Sequence, residues 1–121
     1  MEPEPRKITS DLVRRYFAAY ESKDRMALEQ LLTDDFRFSS PLDDYIDRRM
    51  YFERCWAFSE QVRAFHIMKL FERGEEAFVL YECEPKVGPR FRNTEFFRIE
   101  GNKIKEVGVY FGSLPDATSR K

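Results

Sequence analysis

At 121 residues the chain has room for one domain with one real core. Its 21 Lys and Arg nearly balance 22 Asp and Glu, which argues against a surface for nucleic acid or anionic membrane, because both need a net basic field. The 12 Phe, 6 Tyr and 1 Trp are a heavy aromatic load that suits a chain lining both a core and a cavity.

The opening residues, Met1 to Lys7, are polar and predict a frayed end. They contain no apolar leader core, and no run in the chain approaches membrane-spanning length, so the expectation is a soluble, cytoplasmic protein. Thr9 or Ser10 can cap a first helix, in which Leu12, Val13, Tyr16, Phe17 and Tyr20 recur at helical spacing. Asp24 can cap a shorter second helix with Ala27, Leu28, Leu31 and Leu32 on one face, ended by Thr33-Asp34-Asp35. Phe36 to Ser39 alternates as a short strand before Pro41, and Leu42 to Ile46 reads as an acidic loop. Asp47 opens a third helix through about Ala57.

Beyond Trp56 the period switches to two. Val62 to Glu72 reads as a strand with Val62, Ala64, His66, Met68 and Leu70 on one face and Phe65, Ile67 and Phe71 on the other. Glu76 to Glu84 is the next strand, with Ala77, Val79, Tyr81 and Cys83 opposite Phe78 and Leu80. Arg92 to Gly112 is a hairpin around Glu100-Gly101-Asn102-Lys103. A two-residue loop would align Glu95, Phe97 and Ile99 with Ile104, Glu106 and Tyr110, whereas a bulge at Asn102 would align them with Val107, Val109 and Phe111. The second option gives the cleaner apolar face. Helices followed by strands in hairpin connection imply an α+β fold with helices on one face of an antiparallel sheet. Apolar residues on both strand faces predict a homodimer through the sheet. The ordered core is expected over about 8–113, as a single domain with a polar tail at either end.

Two cysteines, Cys55 and Cys83, lack metal or redox spacing and read as free thiols of a reducing compartment. No phosphate loop, nucleophile elbow or zinc motif appears, and the Asp43-Asp44 pair offers a hard cation too few oxygens, so neither a cofactor nor a metal is expected. Glu95 among Phe96 and Phe97 is either a neutralised acid in a pocket or a sheet carboxylate paired with an arginine such as Arg90 or Arg92. His66 is the sole histidine, so any imidazole chemistry falls to it; the alternative is a structural residue. Asp43, Asp44, Asp47 and Arg48 either form a polar rim or cap the third helix and pair among themselves. Tyr51 and Trp56 read as core or cavity wall.

VRRYFAAYESKD (13–24), LLTDDFRFSSP (31–41) and FFRIEGNKIKEVGVYFG (96–112), in this order and spacing, resemble the SnoaL-like branch of the nuclear transport factor 2-like superfamily across Thr9 to Gly112. The resemblance implies a strongly curved sheet wrapped around three N-terminal helices, a cystatin-like cone with an apolar cavity at its open end. It also implies, in many members, a homodimer. Family functions span isomerases, epoxide hydrolases, polyketide cyclases, dehydratases, transport adaptors and non-catalytic binders, so the fold alone selects none of them. Compared with ketosteroid isomerase, Tyr16 resembles the oxyanion tyrosine and Glu95 the carboxylic acid held protonated by an apolar site. The general-base position is Ser40, whose hydroxyl cannot shuttle a proton as a carboxylate does. The expectation is a cone that binds a small apolar molecule through Tyr16, Phe38, Ser40, Tyr51, Trp56, His66, Glu95 and Phe97. The alternatives are a cofactor-free isomerase, lyase or hydrolase in which Glu95, Tyr16 and His66 act, and a protein-interaction module using the sheet face.

Overall fold

Helix α1 (Lys7–Ser22) carries Leu12, Val13, Tyr16, Phe17, Ala19 and Tyr20 as one buried stripe at three- and four-residue spacing, which fixes the face it turns to the sheet. The computed structural model describes residues 7–112; the readings made for residues 1–6 and 113–121 lie outside the described residues. Thr9 is not the cap expected of it, because α1 starts at Lys7. Its hydroxyl instead donates to the Gly74 carbonyl at 3.1 Å, tying the helix to the far turn of the sheet. Asp24 caps α2 (Arg25–Leu31) by accepting from the Ala27 amide at 3.1 Å. Asp47 caps α3 (Arg48–Cys55) in the same way, accepting from the Met50 amide at 2.9 Å. A 3₁₀ turn at Trp56–Gln61 then leads into the sheet.

Strand β1 (Leu32–Ser40) starts directly after α2, so Thr33-Asp34-Asp35 ends the helix by entering a strand. The predicted acidic loop is also a strand, β2 (Asp43–Asp47), antiparallel to β1. Its charges hid it, yet charge is what a sheet edge tolerates, because it blunts pairing with other chains. Strands β3 (Val62–Arg73), β4 (Glu76–Pro85), β5 (Phe91–Glu100) and β6 (Lys103–Phe111) follow as hairpins. The sheet order is β2-β1-β6-β5-β4-β3, antiparallel throughout except where β1 runs parallel to β6. The sheet is therefore mixed rather than wholly antiparallel, and it curves around the helices without closing. The α+β architecture is otherwise as expected.

Bulges decide which side chains face inward. On β3, Ile67 pairs with Tyr81 and Lys69 with Leu80, leaving Met68 as the extra residue. The parity therefore reverses along the strand: Phe65, Ile67 and Leu70 pack toward the core while His66 and Phe71 are exposed. A strict two-residue period had placed His66 with Leu70. In the β5–β6 hairpin, Glu95 pairs with Val109 and Phe97 with Val107, the alignment expected of a bulge. The loop itself has two residues, Gly101 with a positive φ of 66° and Asn102, and the bulge lies at Lys105. Leu28, Phe36, Phe97, Ile104 and Val107 close the core between the helices and this hairpin, each fully buried.

Candidate functional site

Tyr16 and Tyr20 sit one turn apart on α1 and point toward the inward faces of β4 and β5, which present Tyr81, Asn93 and Glu95. Together with Phe17, Phe38, Phe58, Phe65, Phe91 and Phe111 they line a cavity of about 650 Å³. Ser40, Leu42, Asp43, Arg54 and Arg90 stand along its outer wall, where Leu42 and Arg90 are solvent-exposed.

Glu95 is the chemical centre of this cavity. It is 3% exposed, and among the described residues no arginine is paired with it. Burial penalises its charged form and pushes its carboxyl up to about 7, while hydrogen bonding from the Tyr81 and Tyr16 hydroxyls pulls the other way. Both hydroxyls are fixed from behind. The Gly112 amide donates to Asn93 Oδ1 at 3.1 Å, which aims Asn93 Nδ2 at the Tyr81 oxygen at 3.2 Å. On the other side the Tyr16 and Tyr51 oxygens are 2.8 Å apart, and those of Tyr51 and Tyr20 are 2.6 Å apart. Burial, with neighbouring Tyr51 and Glu95, holds the Tyr16 hydroxyl well above its usual range, so it stays a proton donor. The cavity floor is thus a carboxyl balanced between its two forms near neutrality, held by hydroxyls that can donate to an oxygen.

Of the eight residues expected at the site, Tyr16, Phe38, Ser40 and Glu95 line the cavity. Tyr51 and Phe97 do not. Tyr51 is fully buried behind Tyr16, and Phe97 lies edge-on to Tyr16 with ring centroids 5.1 Å apart. Trp56 packs edge-on to Tyr20, with centroids 5.0 Å apart, and does not line the cavity. His66 is the clear correction: it is exposed on the other face of β3, with Nε2 3.0 Å from Glu84 Oε1. The bulge at Met68 and the inward Phe65 leave its imidazole outside. Arg90 and Arg92 answer Glu82 rather than Glu95. The Ser40 hydroxyl donates to Asp43 Oδ2 at 3.3 Å and accepts from the Leu42 amide at 3.0 Å, so its one proton is spent locally.

Tyr20, Tyr81, Asn93 and Arg54 also line the cavity without being expected there, and of the residues expected as a polar rim Asp43 lines it. Three of them carried a signal. Tyr20 lies four residues after Tyr16, hence on the same helix face. Asn93 lies two residues before Glu95, hence on the same sheet face, and Tyr81 is its cross-strand partner. Asp43 and Arg54 come together only through the β1–β2 turn, which was read as loop. Both thiols are pushed up to about 12, chiefly by burial, so Cys55 on the cavity wall is no ready nucleophile. Among the described residues no cluster of His, Cys, Asp and Glu has the makings of a metal site, and no helix is long and apolar enough to cross a membrane.

Residues 13–107 match the family model of the SnoaL-like domain, and the chain belongs to that family. No curated protein matches the chain. Among solved structures it is similar to a nuclear transport factor 2-like protein of unknown function from Cytophaga hutchinsonii, at 20% identity and a TM-score of 0.73 over 93% of this chain and 95% of that one. It is also similar to an epoxide hydrolase of the LEH-like kind from M. tuberculosis, at 17% identity and a TM-score of 0.71 over 87% and 83% of the two chains. A protein with a ketosteroid isomerase-like fold from Catenulispora acidiphila, solved with trimethylamine, resembles it at 18% identity and a TM-score of 0.67 over 85% and 86%. At these identities the likeness is one of fold.

Proposed function

We propose that the protein binds a small, mostly apolar molecule in the cone, and that a hydrogen-bonding oxygen of that molecule meets Glu95, Tyr16 and Tyr81. The observation that carries this reading is a nearly inaccessible carboxyl at the base of a largely aromatic cavity, with no cation among the described residues paired to it. Such a group is costly to bury without a purpose, and a few convergent polar groups in an apolar pocket are what a ligand site needs. The test is a thermal-shift and calorimetric screen of small cyclic ketones, alcohols and phenols against wild type and Glu95→Gln. Binding that weakens at least about fivefold in the variant supports the reading, since a charge-assisted bond is then lost. No binding by any oxygen-bearing probe would sink it.

A second reading is favoured by the position of Glu95 near 7. A carboxyl poised there can give or take a proton at neutral pH, as an isomerase, lyase or hydrolase requires. Tyr16 would polarise the substrate oxygen. Turnover of a bound ketone, abolished in Glu95→Gln with binding retained, would establish it. We also propose that the working unit is a homodimer. Support comes from the outer sheet face, where Phe71, Phe78 and Tyr110 are 69%, 49% and 59% exposed. The two unbridged cysteines fit a cytoplasmic setting.

A further inference from the structure

We infer that the ligand is an elongated apolar molecule ending in a carboxylate, which Arg54 anchors at the cavity mouth; this rests on the small-molecule reading above and sharpens it. The mouth holds a fixed ion pair. The Asp43 side chain is only 9% exposed, and its Oδ1 takes the Arg54 Nε–H at 2.5 Å. Its other oxygen accepts from Ser40, and Ser40 in turn accepts from the Leu42 amide. Each carboxylate oxygen of Asp43 therefore already accepts one hydrogen bond from the chain itself.

Arg54 is in the opposite condition. A guanidinium carries five N–H donors in a rigid fork, and the bond to Asp43 uses one. The Asp43 contact holds the fork in place, and the side chain remains 49% exposed beside the cavity. The other lining arginine, Arg90, turns both terminal nitrogens to Glu82 and Glu84 at 3.2 and 3.4 Å. The mouth thus offers Arg54 N–H groups that the Asp43 contact leaves over. Its complement is an anion with two coplanar oxygens, the geometry in which arginine binds carboxylates. A cation would meet the exposed Arg54 guanidinium, while its acid partner Asp43 is nearly buried. Between mouth and floor the wall is Phe38, Phe58, Phe91 and Phe111, which calls for an apolar body. A short, fully charged anion would leave that wall unfilled.

The probes are 10-hydroxydecanoate and decanol at pH 8, titrated calorimetrically into the intact chain, both of which offer the floor a hydroxyl. Wild type is expected to bind 10-hydroxydecanoate about tenfold or more tightly than decanol, the scale of one charge-assisted fork. The pair Asp43→Asn with Arg54→Met removes both charges together and leaves no buried acid unpaired. It should bring the two affinities within about twofold of each other. Arg54→Lys keeps the ion pair and the fold but not the fork, and should cut the preference to about threefold. Equal binding of the two probes by wild type would overturn the carboxylate and leave the cavity reading standing. A preference that survives the paired substitution, or is untouched by Arg54→Lys, would overturn the role of Arg54. Failure of wild type to bind either probe would overturn this inference and count against the cavity reading as well.

Discussion

Tyr51 lies 35 residues beyond Tyr16 in the chain, yet their hydroxyl oxygens are 2.8 Å apart and both rings are buried. Tyr51 also reaches Tyr20 at 2.6 Å, so one hydroxyl serves two neighbours. Each phenol has a single proton to give. A Tyr16 hydroxyl that gives its proton to Glu95 requires Tyr51 to donate to Tyr16, and Tyr20 to Tyr51. In that order Tyr51→Phe keeps the ring and its packing but leaves Tyr20 without an acceptor and Tyr16 without a donor. The expected loss of stability is about 1–3 kcal/mol, read by urea denaturation. Tyr20→Phe removes only the end of the series and should cost less. Equal costs for the two would refute the directed chain.

Glu95 makes stability depend on pH in a stated direction. Its carboxyl is raised in the folded state from 4.5 to about 7. Between these values the folded chain holds a proton that the unfolded chain has released, so stability falls as pH rises through the window and levels off above it. A shift of this size corresponds to about 3 kcal/mol. Glu95→Gln carries no such term. The difference in unfolding free energy, wild type minus Glu95→Gln, should therefore decline by about 3 kcal/mol between about pH 4 and pH 8 and stay flat above that. Taking the difference removes the opposite contributions of Asp35, Glu82 and Glu84, whose carboxyls are held low by hydrogen bonds from Lys105, Arg90 and His66. A level difference across the window would place Glu95 in an ordinary carboxylate environment.

Periodicity made the elements legible, and with them the stripe of α1, the caps Asp24 and Asp47, and the inward faces of β4 and β5. Glu95 stood out because an acid beside two phenylalanines has few comfortable places. What periodicity cannot carry is a bulge. One extra residue at Met68 sends His66 outward, and one at Lys105 reconciles a two-residue turn with the register of Glu95. Edge strand β2 was hidden for a different reason, since its acids are paired or wet rather than patterned. The Tyr16–Tyr51–Tyr20 group was illegible as a group because it depends on how α3 crosses α1, which no local spacing encodes.

The displacement of His66 is itself testable. Its imidazole bonds Glu84 on the exposed face, and that bond is the main cause of the low Glu84 carboxyl. His66→Ala should change ligand affinity by less than about twofold, since it removes an exposed pair worth ~1 kcal/mol or less. Calorimetry with any ligand found for the cone decides this. A tenfold loss would return His66 to the site.

Cys55 lines the cavity but is held as a thiol, pushed up to about 12 mainly by burial and secondarily by Asp43. Alkylation by iodoacetamide at pH 7.5 requires the thiolate, so the native chain should react roughly a hundredfold or more slowly than a free cysteine. Denaturant should restore the ordinary rate. Fast labelling of the native chain, mapped to Cys55 by mass spectrometry, would show an accessible thiolate and a different cavity wall.

The outer face of the sheet carries the last prediction. Phe71 pairs across the strands with Phe78, and Phe78 with Phe96, whose ring centroid lies 5.1 Å away. One end of this row is bounded by Arg98, which bridges Glu76 and Glu106, so an aromatic strip adjoins a mixed-charge border. A two-fold partner would bury the strip against itself and set each border against the other's, which self-complementary interfaces require. Phe78→Arg places a charge in the middle of the strip, and in a dimer two such charges would face each other across the axis. Sedimentation velocity should show wild type at twice the chain mass and Phe78→Arg as the monomer, with the cavity affinity of the monomer unchanged. A wild-type monomer at all concentrations would leave the strip without a second copy to cover it and refute the dimer.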